Sequence, residues 1–144
     1  MTDHPEELLR YRFPAKASRL GAMRRRLTES LASIKQSKSF THFVVLAVNE
    51  AVSNIIQHAY GENDSGDIIL EVQQLDGGLL FRLTDFAQRK STIEDMKSRD
   101  LDDIRPGGLG CHIINEVMDY VAVVESGTEQ QTNVLEMTKR LASQ

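Results

Sequence analysis

A chain of 144 residues, 40% apolar and 26% charged, has the make-up of one ordinary globular domain, large enough for a proper core. A formal net charge of −4 argues against non-specific nucleic-acid binding, and no signal-peptide pattern opens the chain. No apolar run is read as long enough to span a bilayer, and the single cysteine, Cys111, excludes an internal disulfide and fits a reducing cytoplasm.

Leu8 to Phe13 alternates and stops at Pro14, which predicts a short first strand. From Lys16 to Ile34, the residues Leu20, Met23, Leu27, Leu31 and Ile34 recur at helical spacing. The other faces of that helix carry Arg19, Arg24, Arg25 and Arg26, a run that is either solvated or set against an acidic partner. Ser39 or Thr41 is the expected cap of a second helix. Its apolar set (Phe43, Val44, Leu46, Ala47, Val48, Ala51, Val52, Ile55, Ile56) runs nearly all round and predicts deep burial. A loop, Gly61 to Gly66, leads to two strands, Asp67 to Leu75 and Leu79 to Thr84, joined by the hairpin turn Asp76-Gly77-Gly78. Ile68, Leu70 and Val72 alternate with polar residues, as do Leu79, Phe81 and Leu83, and Asp85 closes the second strand. Phe86 to Pro106 is polar and weakly periodic, and a connection this long reads as a lid. Ile113, Ile114, Val117 and Met118 mark a third helix. Then come a strand from Tyr120 to Val124, a turn from Gly127 to Gln131 and a last strand from Thr132 to Leu141. These elements do not follow strict βαβ repetition. They predict a two-layer α/β (α+β) sandwich, with three main helices on one face of a largely antiparallel mixed sheet.

Two stretches carry polar residues that packing does not ask for. Glu50, Asn54 and His58 lie at i, i+4 and i+8, along one stripe of a helix. A carboxylate and a carboxamide one turn apart can hold a proton acceptor beside a cation ligand, the pair that phosphoryl transfer needs. The plainer reading is a helix with its polar edge in water. Because the helix is so apolar, Glu50 belongs either at a pocket wall or in a pair. Glu50 and His58 are two turns apart, ~12 Å along the axis, which argues against a shared ion. The second stretch is Arg105-Pro106-Gly107-Gly108-Leu109-Gly110-Cys111-His112, a glycine-rich turn before the third helix. Glycines allow close backbone approach, and a helix N-terminus presents free N–H groups to an anion. An ordinary tight turn gives the same pattern. It is neither a Walker A loop nor a dinucleotide fingerprint.

The order of these motifs resembles the Bergerat-fold ATPases, the superfamily of gyrase, Hsp90, histidine kinases and MutL. More narrowly it resembles the small anti-sigma-factor serine kinases of bacterial partner switching. The resemblance runs from Tyr11 to Leu141, and Glu50 to Tyr60 with Gly107-Gly108-Leu109-Gly110 are its specific signals. It implies a single histidine-kinase-like ATPase domain over residues 1–144, with an ATP lid at 86–106. It implies ATP and Mg²⁺ as cofactors. By position it makes Asn54 the Mg²⁺ ligand, Glu50 the general base and Asp85 the acceptor for the adenine amino group. Gly107, Gly108, Leu109 and Gly110 become the phosphate-binding backbone, and Thr132 the late threonine near the base. His58 is then a structural residue at the helix end.

The family has glycines just after the adenine-binding acid. Here the chain reads Asp85-Phe86-Ala87-Gln88-Arg89-Lys90, with Ala87 where the first glycine falls. Two functions are therefore weighed. One is an ATP-dependent serine/threonine protein kinase that phosphorylates a STAS-type antagonist and binds a sigma factor or another regulator. The other is a protein with a degenerate nucleotide pocket that sequesters its partners. A free ATPase of the chaperone or topoisomerase type works through additional domains and fits less well. Homodimer formation, cytoplasmic location and the absence of nucleic-acid or membrane partners complete the expectation.

Overall fold

Alternating apolar residues build a sheet whose register sets the site. In the computed structural model, which describes residues 5–60, 66–87, 106–125 and 132–142, five strands form: β1 (Glu6–Pro14), β2 (Asp67–Leu75), β3 (Gly78–Asp85), β4 (Tyr120–Glu125) and β5 (Asn133–Arg140). Their spatial order is β1-β2-β3-β5-β4, and every neighbouring pair is antiparallel. The mixed sheet expected from sequence is thus wholly antiparallel among the described strands. The reason is topological. β3 and β4 do run parallel, as a long crossover between them allows, but β5 lies between them and pairs antiparallel with both. The β2–β3 hairpin turns at Asp76-Gly77, where Gly77 takes φ +76°, a conformation that favours glycine.

Three main helices cover one face of this sheet. They are α1 (Leu20–Ser30), entered through a 3₁₀ turn at Ala17–Arg19, α2 (Lys38–Asn54), and α3 (Pro106–Val117). α1 is shorter than the periodicity predicts, because Leu31 and Ile34 pack from the turns that follow it. Ser37, not Ser39 or Thr41, caps α2: its backbone is extended and its hydroxyl accepts the Phe40 N–H at 3.0 Å. Beyond Asn54 the helix widens into a π-helix, Ile55–Tyr60.

The core lies between the layers. Met23 and Leu27 of α1, Val44, Ala47, Val48, Ala51 and Val52 of α2, and Ile114 of α3 meet Phe13, Ile68, Leu70, Leu79, Phe81, Leu83 and Met137 of the sheet. The span Lys38–His58 is long and apolar enough to cross a membrane by length and composition, contrary to the reading of the sequence. In the fold it is the central helix, packed against α1 and α3. The opposite sheet face carries a row of charges. Arg10 pairs with Glu71 at 3.3 Å, Arg82 with Glu136 at 2.6 Å, and Arg82 lies 4.0 Å from Glu71.

Candidate functional site

Glu50 and Asn54 lie one turn apart at the C-terminal end of α2, one above the other as their spacing requires. Asn54 is buried, 7% exposed, whereas Glu50 is half-buried. His58 is half-buried and lies in the π segment. α1 braces the helix at this level, where Arg24 Nη1 donates to Asn49 Oδ1 at 3.0 Å. Among the described residues, no cluster of three or more His, Cys, Asp or Glu side chains can hold a metal ion.

The second polar centre is Asp85. Leu79, Phe81 and Leu83 point into the core, and the two-residue period puts Asp85 on the same face at the end of β3. It is 4% exposed. Burial pushes its carboxyl above the ordinary value of 3.8, while hydrogen bonds from the Asn133 side chain and the Ala87 backbone pull the other way. Those bonds are specific. Asn133 Nδ2 donates to Asp85 Oδ1 at 2.8 Å and to the Ala87 carbonyl at 2.8 Å, and the Ala87 N–H donates to Asp85 Oδ1 at 3.1 Å. Asn133 faces Asp85 in the β3–β5 register and has the parity of Leu135 and Met137. A polar residue at a core-facing position is the sequence signal for Asn133, which neither the motifs nor the resemblance singles out. Thr132, the residue the resemblance selects, is the half-buried neighbour just before β5.

Ala87 is 3% exposed and joins the core, and no non-glycine among the described residues has positive φ. A methyl at this position therefore costs no backbone strain. Tyr60 joins the two polar centres. It ends the helix that carries Glu50 and Asn54, and its hydroxyl donates to the Asp67 carbonyl at 2.7 Å and accepts the Phe86 N–H at 2.8 Å. Its ring lies against Gly66, where an added Cβ would come within 2.5 Å. The tyrosine thus fixes the backbone directly after Asp85, a role no local pattern announces.

The glycine stretch differs from expectation. Gly107, Gly108, Leu109 and Gly110 do not form a turn before α3; they are part of the helix, which begins at Pro106. Proline suits a first helical position because its φ is already helical and its missing N–H needs no partner there. The packing of Ile114 into the core then holds the helix in place. Residues 88–105, most of the expected lid, and the turn expected at 127–131 lie outside the described residues.

Residues 13–139 match the family described as the histidine kinase-like ATPase domain. Over 98% of this chain and 88% of the relative, it is 29% identical to a protein of Halalkalibacterium halodurans named serine-protein kinase RsbW. A Staphylococcus aureus protein of the same name is 31% identical over 85% of this chain and 82% of its own length. The fold is similar to a crystal structure of the RsbU and RsbW domains of a Mycobacterium tuberculosis protein, with a TM-score of 0.63 and 19% identity. That likeness covers 92% of this chain and 32% of the other.

Proposed function

The chain is a member of the histidine kinase-like ATPase domain family, and from that we propose that it is an ATP-dependent serine/threonine protein kinase of the anti-sigma type. Its substrate in this reading is a STAS-domain antagonist in a bacterial partner-switching system, with a sigma factor or another regulator as the protein it holds. It works as a homodimer in the cytoplasm. The observation that carries the reading is Asp85, a buried acid on the core face whose two hydrogen bonds among the described residues both end on Oδ1. Oδ2 is then left to accept from a base amino group.

The residues fit the cofactors. Mg²⁺ is usually held by one or two protein oxygens together with substrate phosphates, so a single buried carboxamide, Asn54, suffices on the protein side. When bound, Mg-ATP supplies the phosphoryl group and neutralises its charge. Asn54 Oδ1 serves as the metal ligand, and the backbone N–H groups of Gly107 and Gly108, free in the first turn of α3, meet the phosphates, while those of Leu109 and Gly110 fall within the helix ladder. Asp85 and Ala87 position the base, with Thr132 close by. Glu50, half-buried one turn before Asn54, accepts the proton of the attacking serine hydroxyl. The segment 86–106 closes over the site and keeps out water, which would otherwise take the phosphoryl group. The rival reading, a disabled pocket, is motivated by the glycine-poor segment after Asp85. Against it, Ala87 needs no positive φ, so its methyl adds no backbone strain there.

Calorimetry with Mg-ATP, followed by transfer assays on a STAS-domain partner, tests this. The parent chain should bind ATP, Asn54→Ala should lose Mg²⁺-dependent binding, and Glu50→Gln should bind as the parent does. Transfer by Glu50→Gln should fall by about 10²–10⁴-fold, the usual contribution of a positioned base. Full transfer by that variant would remove the role of Glu50, and no binding by the parent would remove the kinase reading.

A further inference from the structure

We propose that Asn133 is a positioning residue for base recognition: its carboxamide locks Asp85 and the Ala87 backbone into one unit that presents Asp85 Oδ2 in a fixed direction. The inference rests on the nucleotide reading above. A carboxamide nitrogen carries two N–H groups. In Asn133 one goes to Asp85 Oδ1 and the other to the Ala87 carbonyl, each at 2.8 Å. The Ala87 N–H returns to the same Oδ1 at 3.1 Å, which closes a ring of three hydrogen bonds.

The consequence is geometric. A carboxylate turns easily about its last torsion, which is broad and two-fold. Two donors converging on Oδ1 remove that freedom and define where Oδ2 points. Tyr60 holds the same segment from the other side through the Phe86 N–H at 2.8 Å. The stretch Asp85–Ala87 is therefore rigid without a glycine. An acceptor fixed in this way favours a base that offers an amino group. Adenine presents its exocyclic amine, and guanine presents a carbonyl oxygen at the same ring position, which a carboxylate repels. Asn133 itself touches no base in this scheme and acts through Asp85.

The test compares the parent chain with Asn133→Ala for binding of Mg-ATP, Mg-GTP and Mg-tripolyphosphate, the last having no base. In Asn133→Ala, ATP affinity should fall by ~10-fold or more, the scale of a lost hydrogen-bond pair. The preference for ATP over GTP should shrink with it, while tripolyphosphate should bind both proteins to within ~2-fold, as a distant, independent contact does. A loss shared equally by all three ligands would mark a merely structural role and overturn the proposal. So would unchanged ATP affinity with an unchanged ATP-to-GTP ratio. Asn133→Ser, whose hydroxyl can donate to Asp85 but not also to Ala87, should recover part of the preference. It decides in the same terms if Asn133→Ala does not fold. If the parent binds tripolyphosphate but shows no preference for ATP, this inference alone fails. If the parent binds no nucleotide, the kinase reading fails and takes this one with it.

Discussion

Asp85 is costly to the fold, and in the proposed reading the same buried carboxyl serves the nucleotide site. Water is withdrawn from its carboxylate, and the two donors on Oδ1 offset only part of that loss, so the carboxyl sits above its ordinary value. The sign for stability follows. The folded chain holds this proton more readily than the unfolded chain, so the group's contribution is full below the ordinary value of 3.8 and is lost as pH rises through the raised one. Asp85→Asn keeps an oxygen for the Asn133 and Ala87 donors and removes the buried charge. It is expected to melt at a higher temperature than the parent at neutral pH and to show a flatter fall of stability above the ordinary carboxylate range. It should also lose ATP binding, since an amide nitrogen can then face the base. Thermal melts across pH, with calorimetry beside them, check both halves. An unchanged pH profile would show that Asp85 does not carry this cost.

Between elements, the decisive connection is Tyr60. α2 brings Glu50 and Asn54, β3 brings Asp85, and the tyrosine hydroxyl bonds the start of β2 and the first residue after β3 at once. The π-helix that ends in Tyr60 belongs to the same arrangement, since π turns often sit at functional sites. Tyr60→Phe leaves the ring in place but strands the Asp67 carbonyl and the Phe86 N–H. A cost of about 2 kcal/mol in urea denaturation is expected, the range for buried groups left unpaired, together with weaker ATP binding through the loosened Asp85–Ala87 segment. A change in stability too small to measure would show that water replaces the hydroxyl without penalty. The charge row Arg10–Glu71–Arg82–Glu136 is a contrast at the same scale. Its members are partly exposed, so it keeps the outer sheet face polar more than it stabilises the fold.

For the whole molecule, ligand binding and folding are one equilibrium. A ligand that binds only the folded chain stabilises it by about 2.7 kcal/mol at one hundred times its dissociation constant. In a domain of this size that is a rise in melting temperature of roughly 5–10 °C. Mg-ATP is expected to produce such a shift in the parent chain and to lose most of it with Asn54→Ala or when Mg²⁺ is chelated. An equal shift in Asn54→Ala would take Asn54 out of the metal site.

The strands, the three main helices and the buried face of Asp85 were legible in the sequence, because each depends on periodicity over a few neighbours. Leu79, Phe81 and Leu83 put Asp85 inside before any partner is known, and the spacing of Glu50 and Asn54 puts them on one helical face. The sequence read alone placed the α2 cap two or four residues late and made the glycine stretch a turn. Only the tertiary structure settled those boundaries, because packing on the sheet outweighs weak local preferences at helix ends. It alone decided that β5 enters between β3 and β4, and so that Asn133 meets Asp85 across 48 residues of chain. Such a pairing follows from strand order and register, which are set by the core as a whole and have no local signature.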